Sequence, residues 1–236
     1  MIESAIAGKC ILFFGLETMG YERKILSRMR ELGAIVDYHS ERPVSSQFVK
    51  AIVKMAPSML DKKTEEYYHN IFEQHKGTKY DIVFIMKCDT PTIRVLKEIR
   101  EFFPDAELRL HMWDSLVNIP NIGEKLELFD RITSFDRKDC EKHPEFGFRP
   151  LFYLDSFTEE SQEKTRFDVS FCGTIHSDRY SVLEDIRKQC EDNGMKFYGY
   201  YYMQSKSAYW YLKIRDKRFR HVPMKKLKFT TIGSDK

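Results

Sequence analysis

Apolar residues along this chain fall into short continuous runs separated by stretches with helical spacing. Cys10-Ile11-Leu12-Phe13-Phe14, closed by Gly15, is the first run, and its unbroken apolar character predicts a strand buried on both faces. From Tyr21 to Leu32 the period changes: Ile25, Met29 and Leu32 recur at helical spacing, and Gly33 is placed to stop the helix. Ala34-Ile35-Val36 opens the next strand. Two further helical stretches, one carrying Phe48, Ile52 and Met55 and the other Tyr67, Tyr68, Ile71 and Phe72, lead to Ile82-Val83-Phe84-Ile85-Met86, the clearest strand in the chain. Thr90-Pro91 predicts an N-cap with a first-turn proline, opening a helix that buries Leu96, Ile99 and Phe103. Leu108 to Trp113, Ile132 to Phe135 and Phe148 to Tyr153 read as more strands. Strands alternating with helices imply right-handed crossovers, a mainly parallel sheet and an α/β, Rossmann-like domain.

A polar stretch then interrupts the pattern. Asp155 to Arg166 holds almost no apolar residue and is expected to be a linker between a domain over 1–154 and a second region over 167–236. In that region the order begins afresh. Phe167 to Gly173 is a strand ending in glycine, and the loop from Thr174 to Arg179 follows. Val182, Leu183, Ile186 and Cys190 then share a helix face, Gly194 ends that helix, and Phe197 to Tyr202 is the next strand. Two parallel strands cannot cover both faces of a sheet. Either residues 167–236 pack onto the first domain, or, as the favoured expectation, they are the beginning of a second Rossmann-like domain in a natural protein that continues past Lys236.

Composition narrows the class. The chain has 236 residues, 42% of them hydrophobic, enough for a core of ordinary size. A net charge of +3 does not call for a nucleic-acid partner. Cys10, Cys88, Cys140, Cys172 and Cys190 are odd in number, widely spaced and without a CxxC, which suits reduced thiols and a cytoplasmic setting. The start lacks a basic n-region and reads as a first strand, and no apolar run approaches a membrane span.

Several positions could carry chemistry. Gly15 and Gly20 bracket the loop between the first strand and first helix, either as a phosphate- or sugar-facing loop or as a tight βα turn; the spacing matches neither a dinucleotide fingerprint nor a P-loop. Gly173, Thr174, Ser177 and Arg179 offer glycine, hydroxyl donors, a helix start and a guanidinium fork suited to a diphosphate. The plain alternative is capping by Ser177 or Asp178 with Arg179 in solvent. Trp113-Asp114-Ser115 ends a strand at the edge where open α/β sheets bind ligands. Asp114 could act as a base or hold a sugar hydroxyl, with Trp113 as a stacking platform; otherwise Asp114 or Ser115 caps a turn and Trp113 is core. Asp136 has the same placement and reads as a cap. His39, His111 and His176 lie near strand ends without metal-ligand spacing, and Cys140 to His143 is half a motif, so no metal site is expected. Asp37 and Lys87 suggest a receiver-type domain, against which the acidic pair needed after the first strand is missing. From Lys206 to Lys228 nine Lys/Arg face one acid, Asp216, with Tyr209, Trp210, Tyr211 and Phe219 among them. That segment reads either as a helix and loop of the second domain or as a surface for an anionic membrane, at its inner face, or for nucleic acid.

Taken in order, Trp113-Asp114-Ser115, Phe129-Asp130-Arg131-Ile132-Thr133-Ser134-Phe135-Asp136, Pro150-Leu151-Phe152-Tyr153 and Phe171-Cys172-Gly173 with Arg179 and Leu183 resemble the CgeB-like bacterial glycosyltransferases of capsular and lipopolysaccharide biosynthesis. The resemblance implies a GT-B architecture of two Rossmann-like domains facing a cleft. A nucleotide-sugar donor would be held mainly by the second domain and a glycan or lipid-linked acceptor mainly by the first, with no metal or other cofactor. It places Gly173, Thr174 and Arg179 near the donor phosphates, Gly15, Trp113 and Ser115 toward the acceptor, and Asp114 as the base. The alternative is a non-catalytic α/β binding module derived from such an enzyme. Family members continue well beyond this chain's last residue.

Overall fold

The computed structural model describes residues 5–18, 20–43, 57–119, 121–154 and 166–229. Two compact units divide the chain, Met1–Tyr153 and Leu154–Lys236. The helix expected around Phe48, Ile52 and Met55, and the linker apart from Arg166, lie outside the described residues.

In the first unit the strands are β1 (Cys10–Gly15), β2 (Ile35–Ser40), β3 (Ile82–Met86), β4 (Glu107–Met112), β5 (Arg131–Ser134) and β6 (Gly147–Phe148). They form one sheet in the order β2-β1-β3-β4-β5-β6, every pair parallel. The helices between them are α1 (Tyr21–Glu31), α2 (Pro57–Gln74), α3 (Ile93–Phe102), α4 (Gly123–Leu126) and α5 (Arg137–Lys142). This is an α/β fold of Rossmann-like general character, and its order reverses direction between β1 and β3.

Alternation along the central strands sorts the core into two layers. Leu12 and Phe14 of β1, with Val83, Ile85, Leu108 and Leu110, pack on Tyr68 and Phe72 of α2 and on Leu96 and Ile99 of α3. Ile11 and Phe13 point the other way, joining Val36, Ile82 and Met86 under Ile25, Leu26 and Met29 of α1. Burying each such side chain stabilises the unit by about 1.5–3 kcal/mol, which is why continuous apolar runs became central strands.

One expected boundary holds and two move. Gly33, at φ +88°, ends α1 as foreseen, with Ala34 N–H donating to Met29 O at 3.1 Å and Gly33 N–H to Arg30 O at 2.9 Å. The third helix, however, begins at Ile93 with Thr92 as its cap, the Thr92 hydroxyl accepting from Val95 N–H at 3.2 Å. Thr90-Pro91 belongs to the preceding loop, where the Thr90 N–H donates to the Glu41 carboxylate of another loop. The strand expected from Phe148 to Tyr153 shrinks to Gly147–Phe148, and Leu151, Phe152 and Tyr153 are exposed without regular structure.

The second unit contains β7 (Val169–Thr174), α6 (Arg179–Asp192), β8 (Phe197–Tyr202) and α7 (Lys206–Arg215). β7 and β8 are parallel, and a single parallel bridge joins Tyr202 to Lys228. Its core gathers Ile175, Tyr180, Leu183, Tyr201, Met203, Tyr209, Phe219, Val222 and Leu227. Gly194, at φ +69°, stops α6 as expected.

Candidate functional site

The residues after β2, β3 and β4 meet at the C-terminal edge of the six-stranded sheet, beside the reversal in strand order. Open α/β sheets bind ligands at such an edge. Glu41, immediately after β2, has no exposed surface. Its carboxylate accepts from the N–H groups of Cys88, Asp89 and Thr90 at 3.0, 3.0 and 3.1 Å. This grip explains the backbone beyond β3. Lys87 and Cys88 both take left-handed conformations, φ 78° and 63°, which cost on the order of 1 kcal/mol each at non-glycine residues. Behind the loop, the buried Lys125 ammonium donates to Cys88 O at 3.3 Å, and the Tyr68 hydroxyl donates to the Glu41 backbone carbonyl at 2.9 Å.

The turn presents a row of alternating charges. Arg42 donates to Asp89 at 2.6 Å, and the Lys87 ammonium lies 3.3 Å from Asp89 and 3.5 Å from Asp114. Asp114, just past β4, also accepts from the Asn118 amide at 2.8 Å. Ser115 donates to Asp136, and Asp136 caps α5 by accepting from Lys138 N–H at 2.9 Å. Burial, then the adjacent Asp89 carboxylate, push the Glu41 carboxyl up to about 8, against the pull of the Cys88 and Thr90 N–H groups. Burial works against ionising Asp89 as well. There the hydrogen bonds with Glu41 and Arg42 and the charges of Arg42 and Lys87 prevail, holding its carboxyl well below the usual range.

The expected site residues fare differently. Asp114 and Ser115 stand on this edge. Trp113 is not an open platform: Phe152 stacks on its ring with centroids 5.7 Å apart, Tyr21 meets it edge-on, and it packs against the α1-side core. Its indole Nε1 is buried without a hydrogen-bond partner. Gly15 sits at the end of β1 for want of space, since a Cβ there would come within 2.8 Å of the Phe13 ring and 2.9 Å of the Tyr38 ring. Gly20 is the residue with the positive φ, 76°. The loop between them is no evident phosphate cradle. The buried Glu22 carboxylate accepts from Thr18 N–H at 3.1 Å, so α1 supplies its own anion, and Glu17 lines the same depression.

In the second unit, Thr174 is the last residue of β7 and Arg179 the first of α6; the Arg179 guanidinium donates to Thr174 O at 2.9 Å. Arg179 is therefore half-buried and anchored to the loop rather than loose in solvent. Neither Ser177 nor Asp178 caps α6 through its side chain, contrary to the plain alternative, and Ser177 adopts φ 55°. Gly173 lies inside β7, where a Cβ would approach the Phe171 ring to 3.1 Å. The basic segment divides as well: Tyr209 and Phe219 are buried, while Trp210 and Tyr211 are exposed.

Sequence reading missed Glu41, Arg42 and Asp89. Their signal was faint: charged side chains directly after two apolar strands that become near neighbours only once the crossover is made. It also missed a pairing across β2 and α2, where the Nε2 atoms of His39 and His75 lie 2.9 Å apart and Tyr80 links His75 to Asp37. Asp37 is thus tied up in mid-strand rather than offered at the sheet edge. Among the described residues, no group of three or more His, Cys, Asp or Glu is arranged to hold a metal ion, and no helix is long and apolar enough to cross a membrane. Compared with known proteins, the chain matches no family model, no curated protein and no solved structure.

Proposed function

We propose that this chain carries the chemistry of a GT-B type, nucleotide-sugar-dependent glycosyltransferase acting on a glycan or lipid-linked acceptor in surface-polysaccharide synthesis. The observation that carries the reading is the charged edge Arg42–Asp89–Lys87–Asp114 at the reversal point of a parallel sheet. Asp114 serves as base. It takes the proton of an acceptor hydroxyl, whose oxygen forms a bond to the anomeric carbon of the donor while the bond from that carbon to the diphosphate oxygen breaks. The nucleoside diphosphate leaves with the electron pair, and Arg179 with the Thr174-to-Arg179 loop meets its charge. Lys87 holds Asp114 in position, and Glu41 holds Lys87 through the turn it grips.

The test is sugar transfer and release of the nucleoside diphosphate from a panel of UDP- and GDP-sugars, with thermal shift as the binding readout. A donor should raise the melting temperature. Arg179→Ala should weaken that donor's affinity, and Asp114→Asn should lower transfer about 100-fold or more with donor binding kept. The reading fails if no donor in a panel containing the native one binds.

One observation favours a second reading, a non-catalytic binding module of the same ancestry. Asp114 is engaged by both Lys87 and Asn118, and Arg179 by a carbonyl. In that case a donor would bind and Asp114→Asn would change nothing, since no transfer would occur.

A further inference from the structure

The outward face of α7 is apolar at its centre and basic at its ends. Lys206, Ser207, Trp210, Tyr211, Ile214 and Arg215 are all exposed, at the i, i+4 spacing of two neighbouring helical stripes, while Tyr209 on the opposite side is buried. Ile214 keeps 71% of its surface in solvent and Trp210 54%. The Arg215 guanidinium lies 5.8 Å from the Tyr211 ring centroid. The following turns add Lys217, Arg220 and Lys225, all exposed. Asp216, the one acid between Lys206 and Lys228, is bound by Arg218 and offsets little of this charge.

A helix with apolar residues on both sides needs cover on both sides, and the charge around this one says what the cover is. We propose that this face docks onto a bilayer bearing anionic lipid headgroups. Trp210 and Tyr211 suit the headgroup level, Ile214 reaches the acyl boundary, and Lys206, Arg215 and Lys217 meet the headgroup phosphates. Single-stranded nucleic acid fits less well. Ile214, the most exposed of the three apolar residues, has no π-face on which a base could stack. The inference is independent of the transfer chemistry and stands or falls without it.

Flotation of the full chain with vesicles decides it, using phosphatidylcholine alone and phosphatidylcholine mixed with phosphatidylglycerol. The protein should float only with the anionic vesicles, with a blue shift of Trp210 emission, and less so as salt rises. Binding should fall about tenfold in Trp210→Ser/Ile214→Ser and similarly in Lys206→Glu/Arg215→Glu. These side chains are exposed, so unchanged melting temperatures will confirm that the variants fold. The proposal is overturned by no flotation with anionic vesicles, by equal flotation with phosphatidylcholine alone, or by undiminished flotation of Trp210→Ser/Ile214→Ser. Tighter binding of a single-stranded oligonucleotide at the same salt, lost in that variant, would also overturn it.

Discussion

Glu41 and His111 are buried groups whose protons pull stability in opposite directions. Glu41 in the folded chain titrates near 8, against an ordinary value of 4.5. Between those values the folded state keeps a proton that the unfolded chain has released, so this group lowers stability as pH rises. Burial, then Arg149, push the His111 imidazole down to about 4 from 6.5; here the unfolded chain holds the extra proton, and stability is lost as pH falls through that range. From pH 6.5 to 8, comparison with a Glu41 variant cancels the histidine contributions and isolates Glu41. Across that window the wild type should lose roughly 2 kcal/mol relative to Glu41→Gln, measured by urea unfolding at both ends. A constant difference between the two proteins would mean that Glu41 is ionised throughout. The two glycines of the first loop make a second residue-scale test. Gly15→Ala forces a Cβ against two rings and should cost about 1–3 kcal/mol. Gly20→Ala meets open space at a positive φ and should cost about 1 kcal/mol. Thermal unfolding that ranks them the other way would refute the packing account of Gly15.

Elements were most legible where periodicity and a stop signal agreed. α1 and α6 end at Gly33 and Gly194, where the apolar spacing and the glycine said they would. Elements set by a distant partner were not legible. α3 starts after Thr92 rather than Thr90, and Glu41, far away in sequence, holds the Thr90 N–H in the loop before it. Thr92→Ala should therefore destabilise the first unit by about 1 kcal/mol through the lost cap. If melting is unaffected, Thr92 is not the working cap. The last strand of the first unit failed for a related reason. The run around Phe148 to Tyr153 has strand composition, but β5 pairs with only Gly147 and Phe148. Phe152 instead turns to stack on Trp113.

For the whole molecule, the two units differ in how many strands pair in their sheets among the described residues. The first has six paired strands, with core on both faces drawn from within 1–153. A fragment of residues 1–153 should fold alone and unfold cooperatively. A fragment of residues 154–236 should not, because among its described residues only two strands form a sheet, and Ser170, Cys172 and Tyr198 on them are exposed. Circular dichroism with urea titration of both fragments checks this. A cooperative transition in the second fragment would show that its small core suffices.

By itself the sequence determined the α/β class, the succession of the long strands along the chain, the ends of α1 and α6 and the restart near Phe167. Each of these depends on neighbours within one or two turns, or on the burial demanded by an apolar run. It also placed Asp114 and Ser115 at the C-terminal edge of the sheet, because strand polarity alone decides which loops lie there. Only the tertiary structure decided that Glu41 and Lys87 join Asp114 in one charged edge, that Trp113 is covered by Phe152, and that Trp210 and Tyr211 face out while Tyr209 and Phe219 face in. Those outcomes depend on crossovers that bring distant residues within a few ångströms, and spacing along the chain carries no record of such approaches.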